Sequence, residues 1–402
     1  TERRHHPGQP VNTGHVDVAV VGRGMLGSPC ARLLAEAGCS VLLIGQGEPA
    51  DRRTHDGVFA SHHDDTRITR VIDPDPLRAW LGHRALHDFR RLEATTGEKI
   101  LTEVGHLWIA PPDEVDLLAG AGARFDLDCT RHDPAGLRAA FAHLTLPDGL
   151  DGILQGPGAG HLDPRAYVRA EGTACVMAGG TVVDALVDSV IERGTVVELE
   201  TSAGTFHADR VVLATGPFFA HGDTPAGDLG LTIGTHTMLH VEPSPADAER
   251  LVDLPSLIVK PTDEDRHCFV LPPKAGSDGR VVVKIGVSHQ GQELGADRIA
   301  DWFRTDGDLD DAAHQERLLR DLFPDLEVVR RQTVPCVTTY TPSGHPVIDD
   351  LTGRVSALIG GNGYAAKCAP ALGELAAGRL LGEPWPIEVD RGLFERAPTS
   401  AN

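Results

Sequence analysis

A chain of 402 residues with 41% hydrophobic content can bury a large core, and its length predicts two or three domains. Aromatic residues make up 4%, so Ala, Val and Leu must build most of that core. A formal net charge of −21 argues against nucleic acid and anionic lipid as partners, and a small anionic ligand would need local positive charge where it binds.

The five lysines, Lys99, Lys260, Lys274, Lys284 and Lys367, stand out in a chain whose other basic residues are all arginine. The seven cysteines are odd in number, scattered and free of any Cys-x-x-Cys pair. That pattern fits a reducing compartment better than a disulfide framework or zinc ribbon. Residues 1–15 are polar and lack the apolar centre of a signal peptide, and no apolar run approaches the roughly 20 residues of a membrane span. The expectation is a cytoplasmic protein with no membrane association, monomeric or a small homo-oligomer.

In chain order, residues 16–22 form a short β-branched run ending in glycine, which reads as a buried parallel strand. Helical spacing follows over 25–38, with Pro29 in the first turn and Gly38 as a C-cap. Residues 41–45 form a second strand, completing a β-α-β start. A helix is predicted over 76–95, a strand over 105–110, and helices over 112–123 and 133–143. Residues 194–216 read as antiparallel strands with an Ala-Gly turn, followed by a buried strand. Residues 226–330 mix strands, including 281–287, with helices over 295–304 and 311–323. The C-terminal part reads as strand, Gly-rich turn and helix.

The strongest local motif is Gly22-Arg23-Gly24-Met25-Leu26-Gly27, placed between a predicted strand and a predicted helix. In that context it is a dinucleotide fingerprint. Gly22 allows the tight turn, Gly24 the close approach of a pyrophosphate, and Gly27 close helix packing. The helix N-terminus, through Met25 and Leu26, offers unpaired N–H groups and a positive dipole. The acid that normally ends the second strand and holds the adenosine ribose is missing. Its place reads Ile44-Gly45-Gln46, with Gln46 or the nearby Glu48 as substitutes. The residues alone leave FAD and NAD both open.

Three further stretches carry a resemblance. They are Ser61-His62-His63-Asp64-Asp65-Thr66-Arg67-Ile68-Thr69-Arg70; Cys336 through Asp349, with Thr339, Thr341, His345 and Ile348 at fixed spacing; and Gly360-Gly361-Asn362-Gly363-Tyr364-Ala365-Ala366-Lys367, followed by Gly373-Glu374. Together with the fingerprint they resemble the monomeric sarcosine oxidase group of the D-amino acid oxidase-like FAD amine oxidases, over nearly the whole chain.

The resemblance implies an α/β fold: an FAD-binding Rossmann-type (GR2-like) domain plus a mixed-sheet α+β substrate domain. The implied partition is 1–92, 150–225 and 331–402 for FAD, and 93–149 and 226–330 for substrate. The implied reaction oxidises the C–N bond of an amino acid or N-substituted amino acid to an imine. Hydride passes from the neutral amine to the flavin, and O2 is reduced to H2O2. Cys336 matches the cysteine that bonds the flavin covalently.

Arg70 and Lys367 match a clamp for the substrate carboxylate. Arg67 and His63 match residues close to the flavin ring, and Lys284 a lysine that assists O2 reduction. His289 is a weaker match to an active-site histidine. Ser61, His62, Thr66, Thr215, Gly216, Gly361, Gly363, Tyr364 and Lys367 match residues around the cofactor.

The run His62-His63-Asp64-Asp65 could be read as metal ligands, but adjacent residues on an extended chain point opposite ways, so a flavin-proximal loop without metal is the expectation. Thr338 replaces the family's aromatic after the flavin cysteine, which points to a substrate bulkier than sarcosine. Two alternatives stand beside this reading: a dehydrogenase passing electrons to a non-oxygen acceptor, and a non-catalytic or NAD-binding Rossmann protein.

Overall fold

The computed structural model describes residues 14–49, 51–55, 57–58, 66–276, 279–287 and 291–396. Two large sheets and one small one organise them.

The first sheet is Rossmann-like. His15–Val21 is entirely apolar from Val18 onward and buried on both faces, as a central parallel strand must be. It lies between Val41–Ile44 and Gly204–Leu213, both parallel to it. Thr181–Val183 extends the sheet beyond Val41–Ile44, and Val355–Ile359 pairs with the far end of Gly204–Leu213. Val21, Ile44 and Leu213 are in register. The loops after these parallel strands therefore leave from one carboxyl edge, the edge where open α/β sheets bind ligands.

Residues 204–213 show how sequence pattern sets pairing. Their first half alternates and pairs antiparallel with Val196–Thr201. Their second half, Val211-Val212-Leu213, is continuously buried and pairs parallel on both sides. A single strand serves where two were expected.

One face of this sheet is covered by helices Gly27–Glu36, Pro76–Thr96, Pro164–Met177 and Ala365–Leu381. Cys30, Leu34, Phe89, Tyr167 and Leu372 form their common core. Each end of the second helix is set by sequence. The Asp75 carboxylate caps the N-terminus by accepting from Leu77 N at 2.9 Å, Pro76 fills the first turn, and Gly97 at φ +76° stops it. Fully buried Arg32 joins three of these helices through Glu171, Asp88 and Glu36.

The second sheet has eight strands in the spatial order Val328–Tyr340, Thr232–Pro243, Val281–Val287, Cys268–Ala275, Ser256–Val259, His106–Ala110, Asp151–Gln155 and Cys129–His132. All neighbours are antiparallel except Ser256–Val259 with His106–Ala110. Helix Leu309–Leu322 is pinned to this sheet by buried Gln315, whose amide donates to Thr237 O at 2.6 Å and accepts from Leu239 N at 2.9 Å. The third sheet joins Arg67–Thr69, Gly160–Leu162 and Leu101–Thr102. The α/β class with a Rossmann-type sheet and a separate mixed sheet is the fold. Among the described residues, no helix is long and apolar enough to cross a membrane.

Candidate active site

A cleft with a cavity volume of about 250 Å³ opens at the carboxyl edge of the Rossmann sheet. Gly22, Arg23, Gly24, Met25 and Leu26 form one wall, where strand His15–Val21 turns into helix Gly27–Glu36. The glycines are dictated by space. Gly22 sits at φ +115°, and a Cβ there would lie 2.2 Å from Ala214 O; a Cβ on Gly27 would lie 2.1 Å from Gly22 O. Gly27 itself is packed behind the wall. The helix start has no capping side chain and no acid in its first turn, so its N–H groups and dipole are available to an anion.

Gln46, Val58 and residues 185–187 line the cleft on the far side of the sheet, with Thr215, Gly216, His221 and Thr224 beside them. Four polar atoms of this wall, Gln46 Oε1, Thr215 Oγ1, His221 Nε2 and Thr224 Oγ1, are buried without a hydrogen-bond partner among the described residues. A buried polar atom of this kind costs stability until a ligand or water satisfies it. Glu48 is committed elsewhere, 2.5 Å from Arg165. Of the two, Gln46 is the one that lines the cleft, with its Oε1 unpartnered among the described residues. A phosphate-binding turn, an uncapped helix start and orphaned polar atoms fit a dinucleotide such as FAD.

The opposite wall comes from the C-terminal third. Strand Val328–Tyr340 brings Cys336, Val337, Thr338 and Thr339 to the cleft, and the turn before helix Ala365–Leu381 brings Gly360, Gly361, Gly363, Ala365 and Ala366. Asn362 staples the two: its N–H donates to Thr339 O at 3.0 Å, and its Oδ1 accepts from Thr341 N at 3.0 Å. Gly360 and Gly363 adopt φ +89° and +76°, which the tight turn requires. Tyr364 lies away from the cleft wall, buried with the Arg78 guanidinium 4.2 Å over its ring.

Arg67 joins the walls. One guanidinium nitrogen is 3.9 Å from Cys336 Sγ, and another donates to Thr66 O at 3.1 Å. The same carbonyl accepts from Lys284 Nζ at 2.9 Å. Lys284 is 2% exposed and reaches across the face of Phe269. Gly286 explains the Lys-x-Gly pattern: a Cβ there would lie 2.3 Å from Phe269 Cζ, so only glycine lets that ring lie under the lysine. Burial pushes the thiols of Cys30 and Cys268 up to about 12, and those of Cys129, Cys175 and Cys368 up to about 11. Cys336 is the cysteine that lines the cleft, beside a guanidinium.

Arg70 and Lys367 converge, but not on the cleft wall. Both hold one oxygen of buried Asp73: Lys367 Nζ at 2.6 Å and Arg70 at 3.1 Å. Burial alone would raise the Asp73 pKa, but Lys367 and Arg70 outweigh it and keep the carboxyl below its ordinary value. Burial lowers the pKa values of both cations. The Arg70 guanidinium also stacks 4.7 Å from the Trp108 ring. Asp73 had no recognisable signal in sequence, since it precedes the Pro-Asp-Pro of a helix cap without periodicity of its own. Nor were Arg23, residues 185–187, His221 and Thr224 legible; residues 185–187 follow a strand only three residues long, Thr181–Val183. Ser61, His62, His63 and His289 lie outside the described residues.

The chain is 26% identical over 387 residues to an N-methyl-L-tryptophan oxidase of Yersinia pestis (strain Pestoides F), covering 93% of this chain and 97% of that protein. Among solved structures it is similar to NikD, described as an unusual amino acid oxidase essential for nikkomycin biosynthesis, with a TM-score of 0.74, 20% identity, and 96% and 98% of the two chains covered. It is also similar to L-proline dehydrogenase from P. horikoshii, with a TM-score of 0.70, 16% identity, and 92% and 95% covered. A family model, DAO, described as FAD dependent oxidoreductase, matches residues 17–379. With the fingerprint, the cleft and this match over most of its length, the chain belongs to the FAD-dependent oxidoreductases of the DAO family.

Proposed function

We propose that this enzyme is an amine oxidase acting on an amino acid or N-substituted amino acid, with O2 as electron acceptor and FAD held through Cys336. The observation that carries the reading is the meeting of Arg67 and Lys284 on the Thr66 carbonyl, with Cys336 beside Arg67 at the cleft. The nucleotide-binding part is built on the Rossmann sheet and the substrate part on the eight-stranded sheet. The NAD-binding or non-catalytic alternative gives way to the family match.

When bound, FAD supplies the two-electron acceptor for the C–N bond and the route of those electrons to O2. The protein's residues do the rest. Gly22, Gly24 and the helix start would cradle the pyrophosphate, and Gln46 would meet the ribose. Arg67 holds its guanidinium 3.9 Å from the Cys336 sulfur, the proposed point of attachment. Lys284 would supply a buried ammonium to stabilise the negative charge that oxygen reduction develops. Arg70 and Lys367 orient the substrate through its carboxylate. Thr338 and the similarity to an N-methyl-L-tryptophan oxidase both favour an N-alkyl amino acid larger than sarcosine.

A dehydrogenase has a similar fold, and Lys284 favours the oxidase. The test is a screen of amino acids and N-alkyl amino acids for peroxide release under air. Peroxide from a bulky N-alkyl amino acid, exceeding that from sarcosine, is expected. Substrate-dependent flavin reduction without peroxide would replace the oxidase with the dehydrogenase.

A further inference from the structure

Asp73 is held too firmly to be a passing occupant of the Arg70–Lys367 pair. Its Oδ2 accepts from both cations, and its Oδ1 accepts from Asp75 N at 3.1 Å. Asp75 is itself the cap of helix Pro76–Thr96, so Asp73 is tied into the start of a 21-residue helix. The carboxylate is therefore a permanent part of the site.

The neighbouring charges cancel. Arg78 pairs with Asp75 at 3.3 Å, and Lys260, 5.6 Å from the Trp108 ring centroid, pairs with Glu114 at 3.3 Å. His106 is fully buried with its Nδ1 2.9 Å from Ser256 Oγ; burial first, then Arg70 and Lys367, keep its pKa well below the ordinary value and the ring neutral. The Cys368 thiol is protonated. Among the described residues, two cations and one fixed anion thus leave a single uncompensated positive charge in a buried site. Arg70 Nε is buried with no hydrogen-bond partner among the described residues, so a donor remains for a ligand.

We infer that Asp73 is a specificity-determining residue that sets the acid-binding subsite to one positive charge, so that it takes a monocarboxylate and rejects a dicarboxylate. A monoanion closes the charge balance of the buried cluster, whereas a dianion leaves a negative charge uncompensated by the described residues. The inference rests on the proposed role of Arg70 and Lys367 as the substrate's acid-binding pair.

The test is calorimetric binding of unreactive acids of matched length, butyrate and succinate, to the FAD-loaded enzyme and its charge variants. The wild type is expected to bind butyrate roughly tenfold or more tighter than succinate. Asp73→Asn, isosteric but uncharged, is expected to shift that ratio by about tenfold or more towards succinate. Asp73→Asn combined with Lys367→Gln restores the single charge and is expected to recover the wild-type preference, which a merely structural aspartate would not produce. An unchanged ratio in Asp73→Asn overturns the inference, and so does binding that Lys367→Gln leaves untouched. An increase of both acids alike in Asp73→Asn also overturns it, since Asp73 would then be blocking the subsite. Because the readout is heat of binding, failure here is separate from failure of the oxidase reading, which peroxide release decides.

Discussion

The Arg67 guanidinium stands 3.9 Å from the Cys336 sulfur, and through the Thr66 carbonyl it shares an acceptor with Lys284. Residues distant in sequence thereby place two cations and a nucleophile beside one cleft. Cys336 is the attachment point proposed for FAD, and Arg67 is the cation beside it. Cys336→Ser is expected to release its FAD on acid precipitation, while the wild-type pellet stays yellow. Arg67→Met is expected to slow tether formation in apoprotein mixed with FAD by roughly tenfold or more, one lost charge contact being worth about 1.4 kcal/mol or more. Denaturing gels viewed for flavin fluorescence give both results.

Lys284 is buried between apolar residues of its own strand, and its ammonium donates to Thr66 O. Lys284→Met is expected to slow aerobic turnover by roughly 10²–10³, the usual cost of removing one preorganised electrostatic contact. Reduction of the flavin by substrate without air is expected to change much less. Stopped-flow measurement of the two half-reactions separates them.

Gly22→Ala is expected to yield protein without bound FAD. The new Cβ would meet Ala214 O at 2.2 Å, and the φ of +115° adds backbone strain of about 1–3 kcal/mol. Flavin-to-protein absorbance ratio and thermal unfolding check the outcome.

His161 gives a pH prediction. Burial, helped by Lys274, lowers its pKa to about 4. In the unfolded chain the ring takes its proton near pH 6.5, but in the folded protein only near 4. Between those values the unfolded state binds more protons, so stability is full above pH 6.5 and falls as pH drops towards 4. At ~1.4 kcal/mol per pH unit the loss is about 3 kcal/mol. Urea unfolding at pH 7 and pH 4.5 should show a smaller decline in His161→Gln than in the wild type.

The legibility of this molecule followed the range of the forces involved. Strand His15–Val21, its glycine turn and the helix behind it are local, so periodicity and glycine spacing identified them. Cys336 and Thr338 were legible through motif spacing, and both line the cleft. Asp73 was not legible, because its importance comes from Lys367, 294 residues away. The single strand Gly204–Leu213 was read as two, since its change of partner depends on the distant arrival of Val355–Ile359. Gln46 was named as a substitute for the missing acid, and its unpartnered Oε1 in the cleft supports that role.

The most direct test of the central claim is anaerobic mixing of the purified yellow protein with a panel of N-alkyl amino acids while the visible flavin absorbance is followed. Rapid bleaching by a bulky N-alkyl amino acid, weakened severalfold or more in Lys367→Gln, is the predicted result. A flavin that no amino acid or N-alkyl amino acid bleaches, or a protein that carries no flavin, would contradict the account.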